Sequence, residues 1–136
     1  MARSVRTKKV TPAQAVQYLM KAEEFLAVAE DCLVAERFVA ATGNAVHAAI
    51  NAADAVGGVR LGQRAAAEDH GQSVDLLAQA GNDGQDVARH LARLLPLKAK
   101  AEYDPSGIPG PAARKAVEAA RRAVGVARRV VPPARG

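Results

Sequence analysis

Aromatic residues are almost missing from this chain. Of its 136 residues none is Trp, and only Tyr18, Phe25, Phe38 and Tyr103 carry aromatic rings. RNA-recognition sheets and single-strand-binding folds stack bases on exposed rings, so those modules are excluded. Cysteine is equally scarce. Cys32 stands alone, which rules out an internal disulfide and a cysteine-cluster zinc site. No apolar run reaches the roughly 18 residues that a membrane-spanning helix needs. The basic opening residues lead into no apolar leader core, so an intracellular, cytoplasmic protein with no membrane association is expected. Glycine-rich phosphate loops, nucleophile elbows and zinc-protease motifs are all absent, and neither a cofactor nor a metal is expected.

Alanine is what the chain has in quantity, 32 of 136 residues. It is the strongest helix former and is depleted in sheets. No alternating apolar pattern is long enough for a strand. The length suits one domain with its own core. Arg outnumbers Lys 13 to 6 among many Ala, Gly, Val and Pro residues, which points to GC-rich coding and a bacterial source.

The net charge of +5 hides a split. Residues 1–9 carry +4 and residues 111–136 carry +6, while 10–110 carry −5. An acidic body with basic ends is compatible with a polyanionic partner, or with ends that only aid solubility.

Hydrophobic spacing predicts an all-α, up-and-down antiparallel bundle of four to five helices over residues 11–131. A flexible basic arm (1–10) precedes it and a short tail (132–136) follows. Thr11, Pro12 and Gln14 form a helix-start signal, and the first helix runs to about residue 37 with Leu19, Ala22, Leu26, Ala29 and Leu33 inside. Phe25 and Cys32 widen that stripe, so Cys32 reads as core. A second helix, 38–59, ends at Gly57 and Gly58 and is apolar nearly all round, as befits a central helix. A loop follows. A short third helix, capped by Asp69 and Gln72, extends to residue 80, and Gly81 to Gly84 form a turn. The fourth helix, 85–103, holds Pro96, which should kink it or leave a broken hydrogen bond. Residues 104–111 form a stiff linker to a fifth helix, 112–131. On that helix Val117, Ala120, Val124 and Ala127 make one face. Arg114, Lys115, Arg121, Arg122, Arg128 and Arg129 make the other and are the candidate phosphate contacts.

Four polar residues interrupt the apolar second helix. Asn44, His47, Asn51 and Asp54 stand at i, i+3, i+7 and i+10, along one edge. A buried polar group without a partner costs about 1–3 kcal/mol. The row therefore faces water, a hydrogen-bond network, a dimer partner or a ligand. His70 follows two acidic residues, which can raise its pKa and orient it, or simply form a cap and turn. His90 reads as ordinary surface. Metal binding by His47, Asp54 and His70 lacks a recognised ligand spacing.

The run Gly43-Asn44-Ala45-Val46-His47-Ala48-Ala49-Ile50-Asn51-Ala52-Ala53-Asp54-Ala55 resembles the second-helix signature of HEPN domains (higher eukaryotes and prokaryotes nucleotide-binding). Asp69-His70-Gly71 and Lys98-Ala99-Lys100-Ala101-Glu102-Tyr103-Asp104 are similar to later elements of one bacterial branch of that family, in the same order. The resemblance covers about residues 11–131. It implies a helical bundle that dimerises and works on RNA or nucleotides. Asn44, His47, Asn51, Asp54, His70, Lys98 and Tyr103 would be the ligand-binding residues. Many members are metal-independent ribonucleases of toxin–antitoxin or defence systems, and others are non-catalytic partners of nucleotidyltransferases. In catalytic members an Arg steadies phosphate charge and a His four to six residues on moves a proton. Arg64 and His70 have that spacing here. Yet Ala65 replaces the usual polar residue, and residues 93–103, where the motif normally lies, contain no His. A non-catalytic RNA- or nucleotide-binding module is thus the leading expectation, with a ribonuclease or a protein-binding helper as alternatives.

Overall fold

The computed structural model describes residues 6–66 and 70–133. Five helices form the bundle: α1 (Pro12–Val34), α2 (Phe38–Leu61), α3 (Gly71–Leu77), α4 (Gly81–Tyr103) and α5 (Gly110–Val130). The all-α class is as expected. Two short strands accompany it, β1 (Thr7–Lys9) and β2 (Gln63–Ala65), paired antiparallel with Lys8 opposite Arg64.

α2 is the axis of the fold. It packs against α1, α4 and α5, and its residues from Ala48 to Gly58 are buried without interruption. Alanine is the reason this is possible. A side chain of one carbon lets neighbouring helices approach on every side, whereas larger residues would hold them apart. The neighbours supply the bulk: Leu26 from α1, Val87, Leu91 and Leu94 from α4, and Val117 and Val124 from α5 are all buried in the same core.

Helix boundaries follow local chemistry. Thr11 caps α1 in a full capping box: its hydroxyl accepts from the Gln14 N–H at 3.1 Å, and the Thr11 N–H donates to the Gln14 side chain at 3.0 Å. α1 stops at Val34, short of the expected residue 37, because Glu36 adopts a positive φ of 60° and turns the chain. α2 does not end at Gly57 and Gly58. It runs through them to Leu61 and is closed by Gly62, which takes the left-handed conformation at φ 65°. The two glycines serve close packing instead: a Cβ on Gly58 would lie 2.6 Å from Val10 Cγ1, and one on Gly57 would lie 2.8 Å from the Gln63 carbonyl oxygen. α3 is shorter than expected, ending at Leu77; its proposed cap, Asp69, lies outside the described residues. The expected turn at Gly81 to Gly84 is the first turn of α4, and the chain reverses through Ala78 to Ala80. Pro96 sits inside an unbroken α4. Pro96 and Ala92, whose carbonyl is left without a backbone donor, are both at least partly exposed, so water can satisfy it. α5 begins at Gly110, two residues early.

The basic arm is not wholly free. Its residues Thr7–Lys9 form β1, and Val10 is buried against Gly58, with Ala15 close to the same glycine. No strand was expected because three residues are too few to show an alternating pattern. The ribbon arises from tertiary placement, with the Val10 N–H donating to the Gly62 carbonyl at 2.8 Å. Among the described residues, no helix is long and apolar enough to cross a membrane.

Gly58→Ala should destabilise the fold by about 1–3 kcal/mol through overpacking. Adding Val10→Ala should return part of that loss, because it removes the clashing methyl. Urea denaturation of the single and double variants measures both effects.

Candidate polyanion groove and the polar row

The row on α2 lies on its α1 side. The His47 ring packs against Phe25 with centroids 5.3 Å apart, and Asp54 feels the charge of Lys21. The two asparagines turn inward on their own helix. Asn44 Nδ2 donates to the Ala40 carbonyl and Asn51 Nδ2 donates to the His47 carbonyl, each at 2.8 Å. Each thus back-bonds a helix carbonyl one turn earlier, using hydrogen-bonding capacity that a ligand would otherwise require.

Asp54 is different. It is only 9% exposed, and among the described residues no hydrogen bond reaches its carboxylate. Burial pushes its pKa up to about 7, against the opposing pull of Arg64 and Lys21. Arg64 projects from β2 with its guanidinium 5.9 Å from the Tyr18 ring centroid and donates to the Ala65 carbonyl at 3.2 Å. His70 occupies the N-cap position of α3 and is half-buried.

Lys98 and Tyr103 do not join this row. Lys98 pairs with Glu102 at 3.4 Å on its own helix, and Tyr103 is 79% exposed. No hydrogen bond, ion pair or ring contact among the described residues links either to His47, Asn51 or Asp54. The cause is topological: the row faces α1, while Lys98 and Tyr103 ride on α4.

A concave site lies elsewhere, between α4 and α5. It is a groove of about 570 Å³. Leu94 and Leu97 from α4 and Ala112, Ala116 and Ala119 from α5 line it, and Arg93, Arg114, Lys115 and Arg122 bring cations to it. The hollow follows from sequence: alanines at i, i+4 and i+7 on α5 face leucines on α4 and leave the space unfilled. Glu118 also lines the groove, but it accepts from Arg121 at 2.6 Å and Arg122 at 3.0 Å. Those bonds, Arg122 first, hold its pKa below the usual carboxylate range. Arg93, Arg114 and Lys115 make no ion pair among the described residues.

The six α5 cations therefore separate into groups. Arg121 and Arg128 reach across to α1, to Glu30 at 3.5 Å and Glu23 at 3.1 Å. Arg122 is tied to Glu118, Arg129 is exposed, and Arg114 and Lys115 remain available to the groove.

His90 corrects the sequence reading. It is not ordinary surface but 8% exposed, and it lines the groove. Its Nε2 lies 3.4 Å from Asp86 Oδ1, and its buried Nδ1 has no hydrogen-bond partner among the described residues. Burial lowers its pKa; Asp86 opposes this, while Arg93, Arg122 and Arg89 add to it. The missed signal was spacing, since His90 stands three residues after Val87 and four before Leu94 on the core stripe.

Two stability changes of opposite sign follow. Asp54 is raised in the folded state, so the favourable effect of its bound proton is complete below pH 3.8 and is lost as pH climbs to about 7. Asp54→Asn should accordingly stabilise the protein at pH 8 relative to pH 4, by on the order of 2–4 kcal/mol. His90 is lowered, so its contribution holds above pH 6.5 and is lost as pH falls further. His90→Phe should gain stability at pH 5 compared with pH 8. Chemical denaturation of each variant against wild type at both pH values measures these differences.

No known protein-family model matches the chain, and no curated protein matches it significantly.

Proposed function

We propose that this chain is a non-catalytic, HEPN-like binding module whose α4–α5 groove holds the phosphates of RNA or a nucleotide. The observation that carries this reading is the set of cations with no ion pair among the described residues, Arg93, Arg114 and Lys115, around one apolar hollow. Arginine presents a planar fork that can bind a phosphate through two hydrogen bonds, and lysine adds a point charge. The leucine and alanine lining lowers the local dielectric and strengthens both. Among the described residues no aromatic side chain lines the groove, so bases find no stacking platform and phosphate contacts supply the affinity.

In this reading the module works in the bacterial cytoplasm as a homodimer, with a nucleotidyltransferase-type protein as a further partner. Met20, Val28 and Val34, exposed along α1, support association through that helix. Arg64 and His70 take no catalytic part. Arg64 already engages Tyr18 and Ala65.

Single-stranded RNA and nucleotides should bind at low salt in a fluorescence-anisotropy titration. Replacing Arg93, Arg114 and Lys115 together with Ala should weaken RNA binding about tenfold or more. The dependence of log affinity on log salt should also flatten, by about 0.7 for each phosphate that is no longer neutralised. Arg128→Ala should change binding less, since Arg128 is paired with Glu23. Failure of the folded wild type to bind either ligand would sink the reading. Cleavage of the RNA would overturn its non-catalytic part.

A further inference from the structure

The β1–β2 ribbon takes no part in the groove, yet it gathers positive charge on one of its two faces. Register decides this. Lys8 stands directly opposite Arg64, while Thr7 and Lys9 stand opposite Ala65 and Gln63. Two cross-strand bonds bracket the Lys8–Arg64 pair: the Val10 N–H donates to the Gly62 carbonyl at 2.8 Å, and the Ala66 N–H to the Arg6 carbonyl at 2.9 Å. Side chains alternate along a strand, so Arg6, Lys8 and Arg64 leave the ribbon on one face and Thr7, Lys9 and Gln63 on the other. The first face is turned toward α1 and α2. Val10, which shares it, meets Gly58 of α2, and the Arg64 guanidinium lies 5.9 Å from the Tyr18 ring centroid of α1. Lys21, one helical turn beyond Tyr18, adds an exposed cation on the same side of α1.

Like charges directly opposite one another on paired strands repel. Among the described residues no ion pair relieves Arg6, Lys8, Lys21 or Arg64. Arg64 donates to the Ala65 carbonyl at 3.2 Å and keeps the rest of its planar fork. We propose that the Lys8–Arg64 face of the ribbon, together with Tyr18 and Lys21 of α1, binds a phosphate group. The site is separate from the α4–α5 groove and does not rest on that reading, since its residues come from β1, β2 and α1. Arg64, over the Tyr18 ring, supplies the directional hydrogen bonds, and Lys8 and Lys21 supply point charges. The anion cancels the repulsion across the strand pair, so binding tightens the ribbon. Lys9 takes no part, because the pleat sends it to the other face.

Titration of the whole chain with inorganic pyrophosphate at low salt, followed by amide NMR shifts, tests the site. Lys8, Tyr18 and Arg64 should shift together, and hydrogen-exchange protection at Val10 and Ala66 should rise several-fold on saturation. Lys8→Gln and Arg64→Gln should each weaken binding about five- to tenfold, the effect of losing a charge-assisted hydrogen bond. Lys9→Gln removes the same charge one residue along the strand and should weaken it by about twofold or less. Replacing Arg93, Arg114 and Lys115 together with Ala should leave the ribbon response intact, which tells a failure of the groove from a failure of this site. Single-stranded RNA in place of pyrophosphate identifies the carrier: a response to RNA alone assigns a backbone phosphate, and a response to pyrophosphate assigns a free or terminal one. No response of the ribbon to either, or equal losses for Lys8→Gln and Lys9→Gln, would refute the site.

Discussion

Everything in this fold is arranged around a helix that is buried on all sides. α2 can occupy that position because alanine removes the side-chain volume that normally separates helices, and the surrounding leucines and valines then close on it. The same burial makes each polar group on α2 costly unless it finds a partner. Asn51 meets this demand by bonding a carbonyl of its own helix; Asn44, nearer the surface, does the same, and the part-buried His47 lies against Phe25. Thr42 keeps a buried hydroxyl with no hydrogen-bond partner among the described residues. Asp54 retains its proton to near neutral pH, which is the cheaper response of an acid enclosed in an apolar setting.

Charge on the outside is organised by the same packing. α5 presents cations along its length, but its neighbours decide what each one does. The α1 side supplies Glu23 and Glu30, which engage Arg128 and Arg121. The α4 side supplies leucines, Arg93 and His90. An evenly basic helix is thereby divided into a structural edge and an open, phosphate-compatible edge. A hollow lined by alanines lies beside the second.

Much of the architecture was legible along the chain. The capping box at Thr11 and Gln14, the apolar stripes of α1, α4 and α5, and the alanine-rich α2 are local patterns set by helix geometry, and they identify the helices without tertiary information. Boundaries were less legible where glycine was involved. Gly57 and Gly58 look like a helix end in isolation, and only the approach of Val10 and Gln63 shows why they lie inside one. The ribbon was invisible for a related reason. Three residues hold no periodicity, and their pairing partners lie more than 50 residues away.

The sequence alone determined the all-α class, the central place of α2 and the supply of cations on α5, because propensity, capping and periodicity act between near neighbours. Tertiary structure decided which of those cations make no ion pair among the described residues, that Asp54 is enclosed, that His90 is buried, and that Lys98 and Tyr103 stand apart from the α2 row. These outcomes depend on which helix covers which face. That is settled by the simultaneous packing of distant segments, and no local pattern encodes it.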